Sequence, residues 1–150
     1  MWLGAQGNPI ELRQVGGTYG RMFMGWSDSP EYVRRMSEAR RTIRAVPPVE
    51  AQERVRGGAL LLDVREAEEF ARGHITGAVQ VSASALPLRA AGILPHRHAS
   101  VVLYSSSGHR SALAAHALQT LGYTQVVSID GGIKAWQLGR PLPDPSRAAR

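Results

Sequence analysis

The sequence predicts an α/β fold in which helices cover both faces of a parallel sheet of about five strands. Three features of the 150 residues support it. The strand-like runs are continuously apolar rather than alternating, which is the pattern of strands buried on both faces. Helical stretches separate them in regular succession, as βαβ units require. A loop of small polar residues, "SSSGHR" at 105–110, follows the most apolar run, and open α/β sheets bind ligands beyond the carboxyl ends of their strands.

Residues 1–28 are rich in glycine and lack a usable period, so they read as a flexible or loosely docked arm. Its apolar cluster Met22–Trp26 is read as packing on the domain or on a partner. Ser29, Pro30 and Glu31 form a helix-start signature: a capping oxygen, a first-turn proline and an acid facing the dipole. Tyr32, Val33, Met36 and Ala39 then recur at helical spacing. The β-branched residues from Thr42 to Val46, followed by Pro47-Pro48, predict a short edge strand, with a helix continuing to Arg44 as the competing reading.

"VEAQERV" reads as a short helix closed by Gly57-Gly58, and "ALLLDV" (59–64) as a buried strand. Strands of the same type recur at "AVQV", "SVVLY" and "QVVSI". The stretches between and after them, "EAEEFA", "SALPLRAAG", "RSALAAHALQTLG" and "IKAW", read as helices.

Composition excludes several functions. The chain has no cysteine, so no disulfide and no thiolate metal site can form. His96 and His98 sit in a Pro-flanked loop read as ordinary surface, and neither a metal nor a cofactor is expected. No apolar run approaches the eighteen or so residues of a membrane span, and the N-terminus lacks the basic start and apolar stretch of a secretory signal. The expected location is therefore the cytoplasm, with no membrane partner. The net charge of +6 comes almost wholly from arginine, Lys134 being the only lysine, and it is spread along the chain. Such diffuse potential favours small anions. The densest basic stretch, Arg34–Arg44, has no interleaved aromatics or reader motif, so it reads as a solvated helix face and not as a specific nucleic-acid site.

The chemistry centres on residues 105–111. Gly108 permits a tight turn, and a helix starting near His109 directs unpaired N–H groups and its positive end into the loop. Arg110 is expected to add a full charge. The result is an anion cradle around Ser105. A thiol there would be shifted below its ordinary pKa of about 8.5, whereas a serine hydroxyl stays protonated unless a base takes its proton. His109 invites a hydrolase reading, which needs a base within hydrogen-bond reach and a third group orienting it, and the chain lacks the full G-x-S-x-G elbow.

Four stretches carry a resemblance to the single-domain rhodaneses, a sulfurtransferase family: "LLDVREAEEFARGHITGA", "VVLYSSSGHRSALAA", "ALQTLGY" and "SIDGGIKAW". They lie between Thr42 and Leu142, which sets the expected domain at 42–142, with an arm and helix at 1–41 and a tail at 143–150. The resemblance implies a three-layer α/β/α fold. It also implies transfer of sulfane sulfur, through a cysteine persulfide, from a small anionic donor such as thiosulfate or a persulfide to cyanide, a thiol or a protein acceptor. The family's cysteine position is occupied by Ser105, so the chain as written should not transfer sulfur. Thr76 and Gln80 are lesser departures, where the family often has proline and asparagine.

By the same resemblance Arg110 anchors the loop, Ser106, Ser107, Gly108 and His109 supply substrate-facing N–H groups, and Ser111 steadies the helix start. Asp63 and Arg65 either contact substrate or join a salt-bridge network with Glu68 or Glu69. His74 and Trp136 are expected to pack structurally. The four residues between Ser105 and Arg110 match the sulfurtransferases rather than the phosphatase-like branch, whose loop is one residue longer. Three readings stay open: a sulfurtransferase whose nucleophile has been exchanged for serine, a natural non-catalytic module that binds a partner or an anionic ligand, and a weak phosphatase or other anion hydrolase.

Overall fold

Five short strands pair into one sheet with every neighbouring pair parallel. A computed structural model of the chain describes residues 29–139. The arm at 1–28, with its Met22–Trp26 cluster, and the tail at 143–150 lie outside the described residues. The chain divides into two compact units, Met1–Glu38 and Ala39–Arg150. In the first, Ser29 caps helix α1 (Pro30–Thr42) by accepting the Tyr32 N–H at 3.1 Å.

In the second unit the order is β1 (Arg44–Val46), α2 (Pro48–Arg56), β2 (Leu60–Asp63), α3 (Ala67–Arg72), β3 (Val79–Gln80), α4 (Leu86–Ile93), β4 (Ser100–Tyr104), α5 (His109–Thr120), β5 (Gln125–Ile129) and α6 (Gly132–Gly139). The helix preceding β1 runs to Thr42, because the Ile43 N–H still reaches the Ala39 carbonyl at 2.8 Å. The edge strand is therefore shorter than the 42–46 read from the sequence. The basic face from Arg34 to Arg44 is exposed. Among the described residues no helix is long and apolar enough to cross a membrane.

The sheet order is β1-β5-β4-β2-β3. From β2 the chain winds outward to β3, then returns to β4 and winds the other way to β5. The direction of winding thus reverses between β2 and β4, and that is where open α/β sheets form a ligand crevice. Ser105 follows β4 and Arg65 follows β2, so both loops rim this crevice.

The period of two along each strand splits the apolar residues between two layers. Leu62, Val101, Leu103 and Val126 pack with Leu86 and Ala90 of α4 and with Ala114, Ala115 and Leu118 of α5. Leu61, Val102, Tyr104, Val127 and Ile129 pack on the other face with Ala51 of α2, Ile133 and Trp136 of α6, and Ile75. Val101 to Tyr104 are all 0% exposed, so β4, which delivers the serine loop, is the best-anchored strand.

Leu103→Ala is expected to lower unfolding free energy by about 2–5 kcal/mol, by lost burial plus a residual cavity. Leu88→Ala, at a site 92% exposed, should stay within about 0.5 kcal/mol of the parent. Urea denaturation of the two variants checks both values.

Candidate functional site

Tyr104 ends the strand and Ser105 begins the loop, already buried at 1% exposure. Gly108, with φ +104°, turns the chain into α5 in a conformation that side chains disfavour. That turn brings two backbone donors onto one atom. Ser105 Oγ accepts the Gly108 N–H at 3.2 Å and the Ser111 N–H at 3.1 Å, and donates to Ser111 Oγ at 3.2 Å. Ser111 Oγ in turn lies 2.7 Å from Ser128 Oγ and donates to the Gly108 carbonyl at 3.2 Å. The three hydroxyls form a buried chain from the loop to β5.

The outer side of the loop is fixed from α6. Its first turn donates two N–H groups, Ile133 to the Ser105 carbonyl at 2.8 Å and Lys134 to the Ser106 carbonyl at 3.2 Å. A trans peptide points its N–H opposite to its C=O. Drawing these two carbonyls toward α6 therefore turns the Ser106 and Ser107 N–H groups the other way. The approach needs glycine: Gly132 has φ +66°, and a Cβ on it would strike the carbonyl oxygens of Ser105 and Ser106.

The charges are arranged differently from the sequence expectation. Arg110 makes a bidentate pair with Glu69 at 2.8 and 3.0 Å, so it does not lend the loop a free positive charge. The hydrogen bonds from Arg110 hold the Glu69 carboxyl below its ordinary range, and Glu69 in turn raises Arg110. Glu69 is itself positioned by the capping box of α3, through the Glu66 N–H at 2.9 Å.

Asp63 and Arg65 face one another, with Arg65 Nε 3.0 Å and Nη2 2.7 Å from the carboxylate. The pair is buried, at 0% and 8% side-chain exposure. Arg65 also donates to the Gly73 carbonyl at 2.7 Å, and its own carbonyl accepts from Gln80 Nε2 at 2.7 Å. Asp63 is thus the partner of Arg65, while Glu69 serves Arg110 and Glu68 takes part in neither pair. Beside them burial, and then the Asp63 carboxylate, push the Tyr104 phenol far above its usual value, so it stays neutral and accepts the Ile75 N–H at 3.0 Å.

Ser106 is half-buried, whereas Ser107 and His109 are exposed at the mouth. His74 stacks on Phe70 with ring centroids 3.6 Å apart and meets the Phe70 carbonyl through Nδ1 at 2.9 Å, a structural contact. Trp136 belongs to the core. Among the described residues no histidine or carboxylate is a hydrogen-bond partner of Ser105 Oγ, so none of them stands as the general base that a serine hydrolase requires. Among the described residues no cluster of three metal-ligating side chains occurs. Sequence reasoning missed Ser128 and the grip of α6. Ser128 could have been noticed as the polar residue in the otherwise apolar end of "QVVSI".

The family model of the rhodanese-like domain matches residues 47–138. The thiosulfate sulfurtransferase GlpE of Pseudomonas putida strain GB-1 is 36% identical over 115 residues, covering 76% of this chain and 99% of the relative. Among solved structures, the human single-domain sulfurtransferase TSTD1 aligns with a TM-score of 0.59 and 26% identity, over 65% of this chain and 97% of its own. A Rhodopseudomonas palustris protein of unknown function, described as a possible tyrosine phosphatase, aligns with a TM-score of 0.63 and 28% identity, over 73% and 91% of the two chains.

Gly132→Ala should cost at least about 1–2 kcal/mol through its positive φ alone. It should also shift the Ser106 and Ser107 amide resonances, and unchanged resonances in folded protein would speak against the grip of α6. For Glu69, whose folded pKa is lowered, stability is present above its unfolded value and is lost as pH falls through the folded one. Glu69→Gln should therefore lose about 1 kcal/mol near neutral pH and narrow its gap to the parent in acid, as read from melts across pH.

Proposed function

The chain belongs to the rhodanese-like family of sulfurtransferases, and on that premise we propose that it is a sulfur-transfer scaffold, inactive as written because Ser105 stands at the position of the nucleophile. The single observation carrying this reading is the convergence of the Gly108 and Ser111 N–H groups on the side-chain atom of residue 105.

With sulfur in that position the chemistry balances simply. A thiolate attacks the outer sulfur of thiosulfate, an S–S bond forms, and sulfite leaves with the electron pair of the broken bond. The resulting persulfide then gives its terminal sulfur to cyanide or a thiolate, and the enzyme thiolate is released. The inward N–H groups favour the thiolate over the thiol. Serine fails at the first step. Its hydroxyl holds its proton without a base, and an oxygen–sulfur adduct is no substitute for the persulfide.

In this reading Ser106, Ser107 and His109 line the mouth and offer N–H groups to an anionic donor, while Gly108 lines it but turns its N–H onto the side-chain atom of residue 105. Ser111 holds the inner end of the cradle. Arg110 acts as a positioning residue through Glu69, and the Asp63–Arg65 pair fixes the opposite rim of the crevice. The donor class is thiosulfate or a persulfide, and the acceptor a thiol, cyanide or a protein sulfur acceptor.

One observation favours a second reading, a non-catalytic module holding a partner or an anion at the same loop. Ser105 is well accommodated, with three hydrogen bonds and a hydroxyl chain reaching Ser128. The codon for residue 105 in the source gene separates the two, cysteine supporting an exchanged nucleophile and serine the natural module.

Ser105→Cys is expected to convert thiosulfate and cyanide to thiocyanate with turnover on the order of 1 s⁻¹ or faster, while the parent and Ser105→Ala stay at background. A folded Ser105→Cys protein with no thiocyanate formation, and no transfer from a persulfide to a thiol, would overturn the catalytic reading.

A further inference from the structure

A second concavity lies on the sheet face covered by α2 and α6. It is open to solvent, has a volume of about 350 Å³, and is built over Leu61, with Val55, Ile75 and the indole of Trp136 as its walls. Leu61, Ile75 and Trp136 are themselves buried members of the core, so the floor is rigid. The size falls within the roughly 300–1,000 Å³ of small-molecule sites.

Three polar side chains rim it: Gln52 and Arg56 from α2, and Thr76 from the loop before β3. The side chains of Gln52 and Thr76 have no hydrogen-bond partner among the described residues. Among the described residues Arg56 is engaged only through Nη1, by Glu53 at 2.8 Å, in a pair with side chains 69% and 67% exposed. Such an exposed pair contributes little and yields readily to a competing anion. Glu53 is the acid facing the guanidinium, and its exposure leaves room for the remaining N–H donors to serve another group.

An apolar floor with one aromatic wall calls for a flat or short apolar body. A guanidinium, an amide and a hydroxyl among the lining side chains call for an anionic head with several acceptor oxygens. Thr76 places a hydroxyl among the lining residues. Neither the sulfur-transfer loop nor its chemistry is needed. The loop is followed by α5, on the opposite face of the sheet.

We propose that this cavity is a binding site for small amphipathic organic carboxylates, with the apolar body against Trp136 and Ile75 and the carboxylate on Arg56, Gln52 and Thr76.

The test is an NMR titration of the full chain with cinnamate, with cinnamyl alcohol and acetate as controls for head and body alone. Cinnamate should give saturable shifts of the Trp136 indole N–H and of the Val55 and Thr76 amides, leaving Ser106 and Ser107 unmoved. Cinnamyl alcohol and acetate should each bind about tenfold more weakly or worse, the loss of a charge-assisted hydrogen-bonded head or of the buried body. Arg56→Gln should weaken cinnamate about fivefold and Thr76→Val about threefold, with melting curves showing that both are folded. Arg56 and Thr76 are exposed, which makes both changes tolerable. The proposal is overturned if no saturable shift occurs, if the alcohol binds as well as the acid, if Arg56→Gln binds like the parent, or if the shifts fall on the serine loop instead.

Discussion

Two hydrogen bonds from the first turn of α6, onto the carbonyls of Ser105 and Ser106, set the direction of the peptide planes that follow β4. A planar trans peptide cannot present its carbonyl to one side without presenting its N–H to the other, so a contact made outside the loop decides what the inside offers. The same contact explains why α6 begins with glycine at its point of closest approach: only a residue without Cβ lets the two backbones meet. Each bond contributes only about 0.5–1.5 kcal/mol to stability. Their larger effect is orientation, because the Ser106 and Ser107 N–H groups are held in place before any ligand arrives and need no reorganisation when it does.

The full charges around the crevice are spent on one another. Arg110 is matched by Glu69, and Arg65 by Asp63, and breaking the buried Asp63–Arg65 pair from one side would leave a desolvated charge at a cost of about 3–5 kcal/mol. The Arg110–Glu69 pair cross-links the segments that follow β2 and β4, on the two sides of the point where the winding of the sheet reverses, while the Asp63–Arg65 pair is local to the end of β2. What remains to act on an anion is the field of backbone N–H groups and the start of α5. That field is suited to a soft, polarisable anion held by many weak donors. With serine in place the Gly108 and Ser111 N–H groups are satisfied by a neutral oxygen, and the hydroxyl chain through Ser111 to Ser128 absorbs the remaining hydrogen-bonding capacity.

Most of the fold was legible because burial on both faces leaves a direct mark: "LLLD", "SVVLY" and "QVVSI" are continuous apolar runs, and each became a strand. The start of α1 was equally plain, since a serine cap and a first-turn proline are local chemistry. The loop was found through Gly108 and the helix after it. Less visible was anything that depends on backbone meeting backbone across the fold. The bond from Ile133 to Ser105 joins residues far apart in sequence through groups every residue possesses, so side-chain identity carries no trace of it beyond the paired glycines. The partner of Arg110 was hidden for a related reason, because three acids lie in one short segment and only the geometry of α3 selects Glu69. The boundary between α1 and β1 was misjudged by two residues, where β-branched propensity lost to a helical hydrogen bond that was still available at Ile43.

The convergence of the Gly108 and Ser111 N–H groups on position 105 can be read without any substrate. In Ser105→Cys, titration of the thiol by its ultraviolet thiolate absorbance should give a midpoint well below the ordinary value of about 8.5, since donors aimed at the sulfur favour its charged form. A midpoint at or above that value would mean that burial outweighs the amides, and that the loop is not the anion cradle its backbone describes.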